Sequence, residues 1–203
     1  HEISALVFTD HEIEEVSDNV KISQIDHEPW PMPTLKRYHY FVKEKEYLSQ
    51  FDYVFYMDVD MRIEGKVGEE ILGDLVATQH PGFWFKDKLQ FSYERRPECT
   101  AYVAPEEGKM YYAGGFNGGK PEHFLKMAET IVENVNADAD KGIVAVWHDE
   151  SHMNRYLINN PPTVELNPSY CYPEAARFNP AGWNVPFDAK IVALEKNHAE
   201  VRS

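Results

Sequence analysis

The sequence predicts an α/β fold around a mostly parallel central sheet. Three observations carry that prediction. Strand-like runs alternate with helical stretches through the first half of the chain, the order that lays helices over a parallel sheet. One run, Tyr53-Val54-Phe55-Tyr56-Met57, is apolar without alternation, the mark of a strand covered on both faces. That run stops at two carboxylates, Asp58 and Asp60, and ligands of open α/β sheets collect at the carboxyl ends of strands.

Taken in order, His1 to Asp10 reads as a strand, with Ile3-Ser4-Ala5-Leu6-Val7-Phe8 as its apolar body. Val20 to Ile25 alternates apolar with polar and reads as a second strand. Pro29, Pro31 and Pro33 break the segment that follows, because each removes a donor and fixes φ. Thr34 is placed to cap a helix running to about Ser49, with Leu35, Tyr38, Phe41, Val42 and Leu48 on its inner face. The Phe51–Asp60 strand comes next. Gly65 to Gly73 reads as a short helix and Leu75 to Gln79 as a strand. An aromatic loop from His80 to Phe85 follows, and later the tyrosine pair and glycine cluster Tyr111 to Gly119. Lys120-Pro121 opens a helix to about Asn134, striped by Phe124, Met127, Ala128, Ile131 and Val135. Ile143 to Val146 reads as a short strand ending at Trp147-His148-Asp149-Glu150. Ser151 to Ile158 reads as a helix and Lys190 to Leu194 as a late strand.

Composition narrows the function. A chain of 203 residues without a linker or repeat fits one domain, and 43% hydrophobic content builds a core without disulfide staples. The net charge of −14 argues against nucleic acid or an anionic membrane as the main partner. Cys99 and Cys171 lie far apart and read as free buried thiols. No run is long and apolar enough for a membrane helix, and no signal peptide is visible.

Four pieces carry chemistry. Asp58 and Asp60, two residues apart, offer hard oxygens suited to Mg²⁺ or Mn²⁺, which commonly also hold substrate phosphates. Lys196, His198 and Arg202 offer positive charge for a diphosphate. Gly114, Gly115, Gly118 and Gly119 allow a ligand close to the backbone. Trp147 to Glu150 offers an aromatic platform, an imidazole and two carboxylates. Each piece has a purely structural counterpart: a solvated loop, a disordered tail, a turn, and carboxylates capping the following helix. No His-x-x-x-His pair of zinc hydrolases is present.

Together the motifs resemble glycosyltransferase family 6, which includes the histo-blood-group A and B transferases and the α-1,3-galactosyltransferase. The matching residues run in order: Phe51-Asp52-Tyr53, Asp58-Val59-Asp60, His80-Pro81-Gly82-Phe83 and Tyr93-Glu94-Arg95-Arg96-Pro97. Then come Thr100-Ala101-Tyr102, Tyr111 to Gly115, Gly118-Gly119, Trp147 to Asn154, Asn167-Pro168-Ser169-Tyr170 and Lys196-Asn197-His198. The resemblance covers nearly the whole chain from about Val7. Cys171-Tyr172-Pro173-Glu174 replaces the Trp-Asp of the animal enzymes and is similar to microbial members.

The resemblance implies a single GT-A-type domain. It also implies a further strand before His1–Asp10, absent from this sequence, which supplies much of the uridine pocket. It implies retaining transfer from a UDP-sugar in α-1,3 linkage to a galactoside, fucosylated or not. Asp58 and Asp60 would hold Mn²⁺, with Mg²⁺ as the alternative. Glu150 would be the nucleophile or transition-state stabiliser, and Asp149 would bind sugar hydroxyls. Arg37, Lys196 and Arg202 would hold the donor. His80, Ser92 and Trp147 would line the acceptor. Donor choice in the family follows the tripeptide Ala113-Gly114-Gly115, whose small third residue favours N-acetylgalactosamine over galactose. The rivals are galactose transfer and a glycan-binding module without catalysis. A sequence that shows no stem or anchor fits a soluble microbial or viral enzyme, cytoplasmic in that case, and equally fits truncation of a longer chain.

Overall fold

In the computed structural model, which describes residues 2–179 and 182–196, the chain opens on Ala5–Thr9 (β1) and Val20–Gln24 (β2). The two pair in parallel as a sheet of their own. The helix expected from Thr34 is broken into Met32–Leu35 (α1), Arg37–Lys43 (α2) and Lys45–Leu48 (α3). Its apolar face survives the breaks: Leu35, Tyr38, Phe41 and Leu48 are buried together. The second break falls at Glu44, whose carboxylate accepts Lys21 Nζ at 2.6 Å and Ser23 Oγ at 2.7 Å from β2.

Val54–Met57 (β3) leads into a turn at the acidic pair, closed by Met61 N donating to the Asp58 carbonyl at 3.0 Å. Met61–Ile63 (β4) follows. The helix expected over 65–73 shrinks to a single 3-10 turn, Glu69–Ile71. Leu75–Gln79 (β5) is the strand the alternation predicts. The glycine-rich segment is no loop: Tyr112–Gly119 (β6) is an eight-residue strand, buried throughout. Pro121–Ala139 (α4) packs its apolar stripe onto the core shared with α2. His148–Asn159 (α5), Val164–Leu166 (β7), Tyr172–Pro173 (β8) and Ile191–Ala193 (β9) complete the α-helices and strands among the described residues.

The expectation of a mostly parallel central sheet is corrected to a mixed one. Its order is β3-β6-β5-β7, with β6 antiparallel to both neighbours and only β5–β7 parallel. The reversal follows from β6 entering between β3 and β5. Glycine permits the tight fit there. A Cβ on Gly118 would lie 2.3 Å from the Val54 carbonyl oxygen. One on Gly119, at φ +137, would lie 2.3 Å from that of Asp74. A third sheet, β4-β9-β8, brings the late strand against the turn after β3.

The strand expected over 143–146 does not form. Side chains take its backbone groups instead. Arg96 Nη2 donates to the Val144 carbonyl at 2.7 Å, and Val146 N donates to Glu94 Oε2 at 2.8 Å. Cys99 and Cys171 are free and buried, as expected. Among the described residues no helix is long and apolar enough to cross a membrane.

Candidate active site

Arg37 organises the cleft from the first residue of α2. Its Nη2 lies 3.2 Å from Asp58 Oδ1 and its Nη1 lies 3.0 Å from Asp149 Oδ2. Its guanidinium carbon stands 4.5 Å from the Tyr56 ring centroid, a cation–π contact. Tyr56, two residues before Asp58, donates its hydroxyl to Asp58 Oδ1. Burial opposes the Arg37 charge, but Asp149, Tyr56 and Asp58 hold its pKa above the ordinary value. One half-buried cation thus joins the turn after β3 to the start of α5.

Trp147 to Glu150 forms the entry to α5, not the end of a strand. Trp147 occupies the N-cap position, half-exposed, and His148 takes φ +50. The acidic pair then falls in the first helical turn, where the unpaired N–H groups favour negative charge. Glu150 is held from two sides of the fold: Gly114 N donates to Oε2 at 2.8 Å and the Tyr111 hydroxyl to Oε1 at 2.8 Å. Burial raises the Glu150 pKa to about 7, with Gly114 and Tyr111 pulling it down and Asp149 pushing it up. Burial likewise raises Asp149 to about 6; Arg37 lowers it and Asp58 raises it. Asp149 is buried, and its Oδ2 makes no hydrogen bond of acceptable angle despite the nearby guanidinium.

Thr34, Arg37, Asp58, Gly114, Gly115, Trp147, Asp149 and Glu150 line one cleft of about 170 Å³ with His148. The structure therefore brings most of the expected donor and catalytic residues together. Ala113 is buried beneath, among Met61, Val76 and Phe116, and does not line the cleft. Gly115 has its own reason to lack a side chain. A Cβ there would meet Asp58 Oδ2 at 3.0 Å, Met61 Sδ at 3.2 Å and Cys171 Sγ at 3.5 Å. The Cys171 thiol is pushed up by burial first, and further by the negative charges of Asp58, Glu150 and Asp60.

Asp60 pairs with Lys196, so the end of the described chain reaches the acidic turn. Arg202 and His198 lie outside the described residues. His80 and Ser92 are not among the residues that line the cleft. His80 donates its backbone N–H to the Tyr111 carbonyl at 2.9 Å, and its Nδ1 accepts from Gly82 N at 3.0 Å. Burial, with Lys86 adding to it, lowers His80 to about 4, so its ring is neutral. Ser92 sits between buried Phe91 and Tyr93 and makes no hydrogen bond among the described residues.

The structure adds Tyr56 and Tyr111 to the expected site residues. Tyr56 carries a signal, since it lies two residues before Asp58. Tyr111 carries none beyond its place before the glycines. For a divalent cation, the donor set consists of two carboxylates, with Asp58 Oδ2 and Asp60 Oδ1 free of hydrogen bonds. No cluster of three or more His, Cys, Asp or Glu side chains able to hold a metal occurs among the described residues. Such a pair fits a cation that takes its remaining ligands from water and substrate phosphates.

A family model for glycosyltransferase family 6 matches residues 20–203. Histo-blood group ABO system transferase 1 of Rattus norvegicus is 39% identical over 161 residues, covering 79% of this chain and 45% of that protein. Globoside alpha-1,3-N-acetylgalactosaminyltransferase 1 of Homo sapiens is 37% identical over 148 residues, covering 72% and 43%. O-antigen biosynthesis glycosyltransferase WbnI of Escherichia coli is 31% identical over 180 residues, covering 88% and 74%. The chain spans less than half the length of the two mammalian relatives.

Proposed function

The chain belongs to glycosyltransferase family 6, and from that premise we propose that it moves N-acetylgalactosamine from UDP-N-acetylgalactosamine to a galactoside. The transfer forms an α-1,3 linkage with retention, on a GT-A-type scaffold, and depends on a divalent cation. The observation that carries this reading is the convergence of Asp58, Arg37, Asp149 and Glu150 on one cleft.

Glu150 presents a carboxylate whose two oxygens are fixed by Gly114 and Tyr111. In this reading it faces the sugar opposite the leaving group, where negative charge would stabilise an oxocarbenium-like transition state. Asp149 offers a buried acceptor still open to a sugar hydroxyl. Arg37 sets the distance between the two acidic elements and balances their charge. Asp58 and Asp60 would hold Mn²⁺ or Mg²⁺, which when bound neutralises the leaving diphosphate. The resemblance assigns Lys196 and Arg202 to close over that diphosphate; the pairing of Lys196 with Asp60 supports this for Lys196. Trp147 supplies an exposed aromatic face for the acceptor, and the resemblance assigns His80 and Ser92 to the acceptor side.

The resemblance, in which a small third residue such as Gly115 goes with the N-acetylated donor, supports that donor, as do relatives named for N-acetylgalactosaminyl transfer. A single methyl discriminates by only about 1–3 kcal/mol, so some galactose transfer is expected. The test is turnover of UDP-N-acetylgalactosamine and UDP-galactose with a galactoside acceptor, with Mn²⁺ or with chelator, in native protein and Glu150→Gln. Native turnover that prefers the N-acetylated donor, stops on chelation and falls about 10³-fold in the variant is expected. Turnover that survives chelation removes the metal assignment. Full activity in Glu150→Gln removes the catalytic assignment. Glycan binding with no turnover of either donor favours the non-catalytic module.

A further inference from the structure

The cleft has a larger neighbour. Tyr93, Arg95, Val144, Val146 and His148 line a pocket of about 570 Å³. His148 also lines the catalytic cleft, so the two spaces adjoin there. One wall is apolar: Val144 and Val146 are 43% and 48% exposed, on the segment that fails to become a strand. Such a surface suits the C–H face of a pyranose.

The charged residues of the other wall differ from one another. Glu94 is buried and saturated. It accepts from Arg96 N, Arg96 Nε, Arg96 Nη2 and Val146 N at 2.9, 3.0, 2.6 and 2.8 Å. Although burial pushes its pKa up, the Arg96 hydrogen bonds bring it down to about 2. Glu94 and Arg96 therefore neutralise each other.

Arg95 has no such partner. Its Nη1 donates to the carbonyls of Val103 and Ala104 at 2.7 and 2.9 Å, and its guanidinium carbon lies 5.4 Å from the Tyr93 ring centroid. These contacts fix the head. Among the described residues no carboxylate lies within ion-pair distance of it, and its Nε and Nη2 make no hydrogen bond. The free edge is the one that grips a carboxylate side-on with two parallel bonds. In a chain with 34 acidic and 20 basic residues, a fixed guanidinium without an acid is an opening for an external anion.

We propose that this pocket is a second acceptor subsite, which binds a carboxylate-bearing sugar one unit beyond the galactoside that is glycosylated, with Arg95 selecting the carboxylate. The role of the bound sugar as part of an acceptor rests on the transferase reading. Its binding does not, because no donor is needed.

The test is therefore a binding measurement. A galactosyl-glucuronic acid disaccharide and its uncharged methyl ester are titrated into the native protein without donor. The acid is expected to bind about tenfold tighter than the ester. That preference should shrink as salt is raised to about 0.5 M. Arg95→Gln should bind acid and ester alike, and Arg95→Lys, which keeps the charge without the fork, should fall between. Equal affinity of the native protein for acid and ester overturns the proposal, as does an acid preference that survives in folded Arg95→Gln. If Arg95→Gln does not fold, the native acid–ester comparison and its salt dependence decide alone. Absence of sugar transfer to every acceptor would overturn the transferase reading and leave this measurement standing.

Discussion

Tyr111 shows what a single side chain contributes at the residue scale. Its hydroxyl donates to Glu150 Oε1 at 2.8 Å and so favours the charged carboxylate. Tyr111→Phe removes that donor, which raises the Glu150 pKa further. Since the reaction uses the anion, native kcat/KM should fall as pH drops below about 7. In Tyr111→Phe that limb should move to higher pH, with kcat at neutral pH lower by about tenfold. An unmoved limb in the pH–rate profile would assign it to another group. His80, lowered to about 4 by burial, should add no limb near neutrality. Arg37 carries a different consequence. Replacing it with Met leaves Asp149, 1% exposed, without its counter-charge. Loss of one partner of a buried pair costs about 3–5 kcal/mol; urea unfolding of Arg37→Met should show it. The acidic members of the site were legible because each pair is contiguous or nearly so. The contact of Tyr111 with Glu150 was not, because 39 residues separate them.

Among elements, β6 departs furthest from its local signals. Four glycines in six residues weaken a strand, and the same composition reads as a turn. What keeps β6 extended is pairing on both sides and close approach of its neighbours. Gly118→Ala would drive a Cβ to 2.3 Å from the Val54 carbonyl oxygen. A destabilisation of at least about 1–3 kcal/mol is expected in thermal or urea unfolding; a neutral result would mean that β3 and β6 can separate freely. In α4 the pattern and the structure agree. Phe124, Met127, Ala128, Ile131 and Val135 are all buried. Phe124→Ala should cost about 3–5 kcal/mol, mostly from the cavity left against Phe41. The helix broken at Lys36 and Glu44 and the strand lost at 143–146 have one lesson in common. In both, apolar spacing is right, and at Glu44 and at 143–146 side chains from elsewhere take over the local bonding.

At the scale of the whole molecule, the site and the fold pull stability in opposite directions with pH. Glu150 and Asp149 titrate near 7 and 6, above their ordinary values of 4.5 and 3.8. The folded state keeps protons there that the unfolded chain releases, so stability falls as pH rises from about 4 to about 7. Glu94, brought down to about 2, contributes stability present above 4.5 and lost as pH falls toward 2. The metal-free protein should therefore have its highest Tm near about pH 4, and Glu150→Gln should flatten the loss toward neutrality. A Tm that climbs steadily from pH 5 to neutrality, measured in chelator, would contradict both assignments. Local pattern alone carries the α/β alternation, the buried stripes of α2 and α4 and the two acidic motifs, though not the place of the second at a helix start. These rest on periods of two and 3.6 residues and on neighbours along the chain. Only the tertiary structure decided that the glycine segment is the inner strand of a mixed sheet. Only it decided that Arg37 bridges Asp58 and Asp149, that Tyr111 and Gly114 fix Glu150, and that Lys196 reaches Asp60. Those pairings join residues far apart in sequence, and which of them form is set by how the sheets and helices pack, a quantity that no local pattern contains.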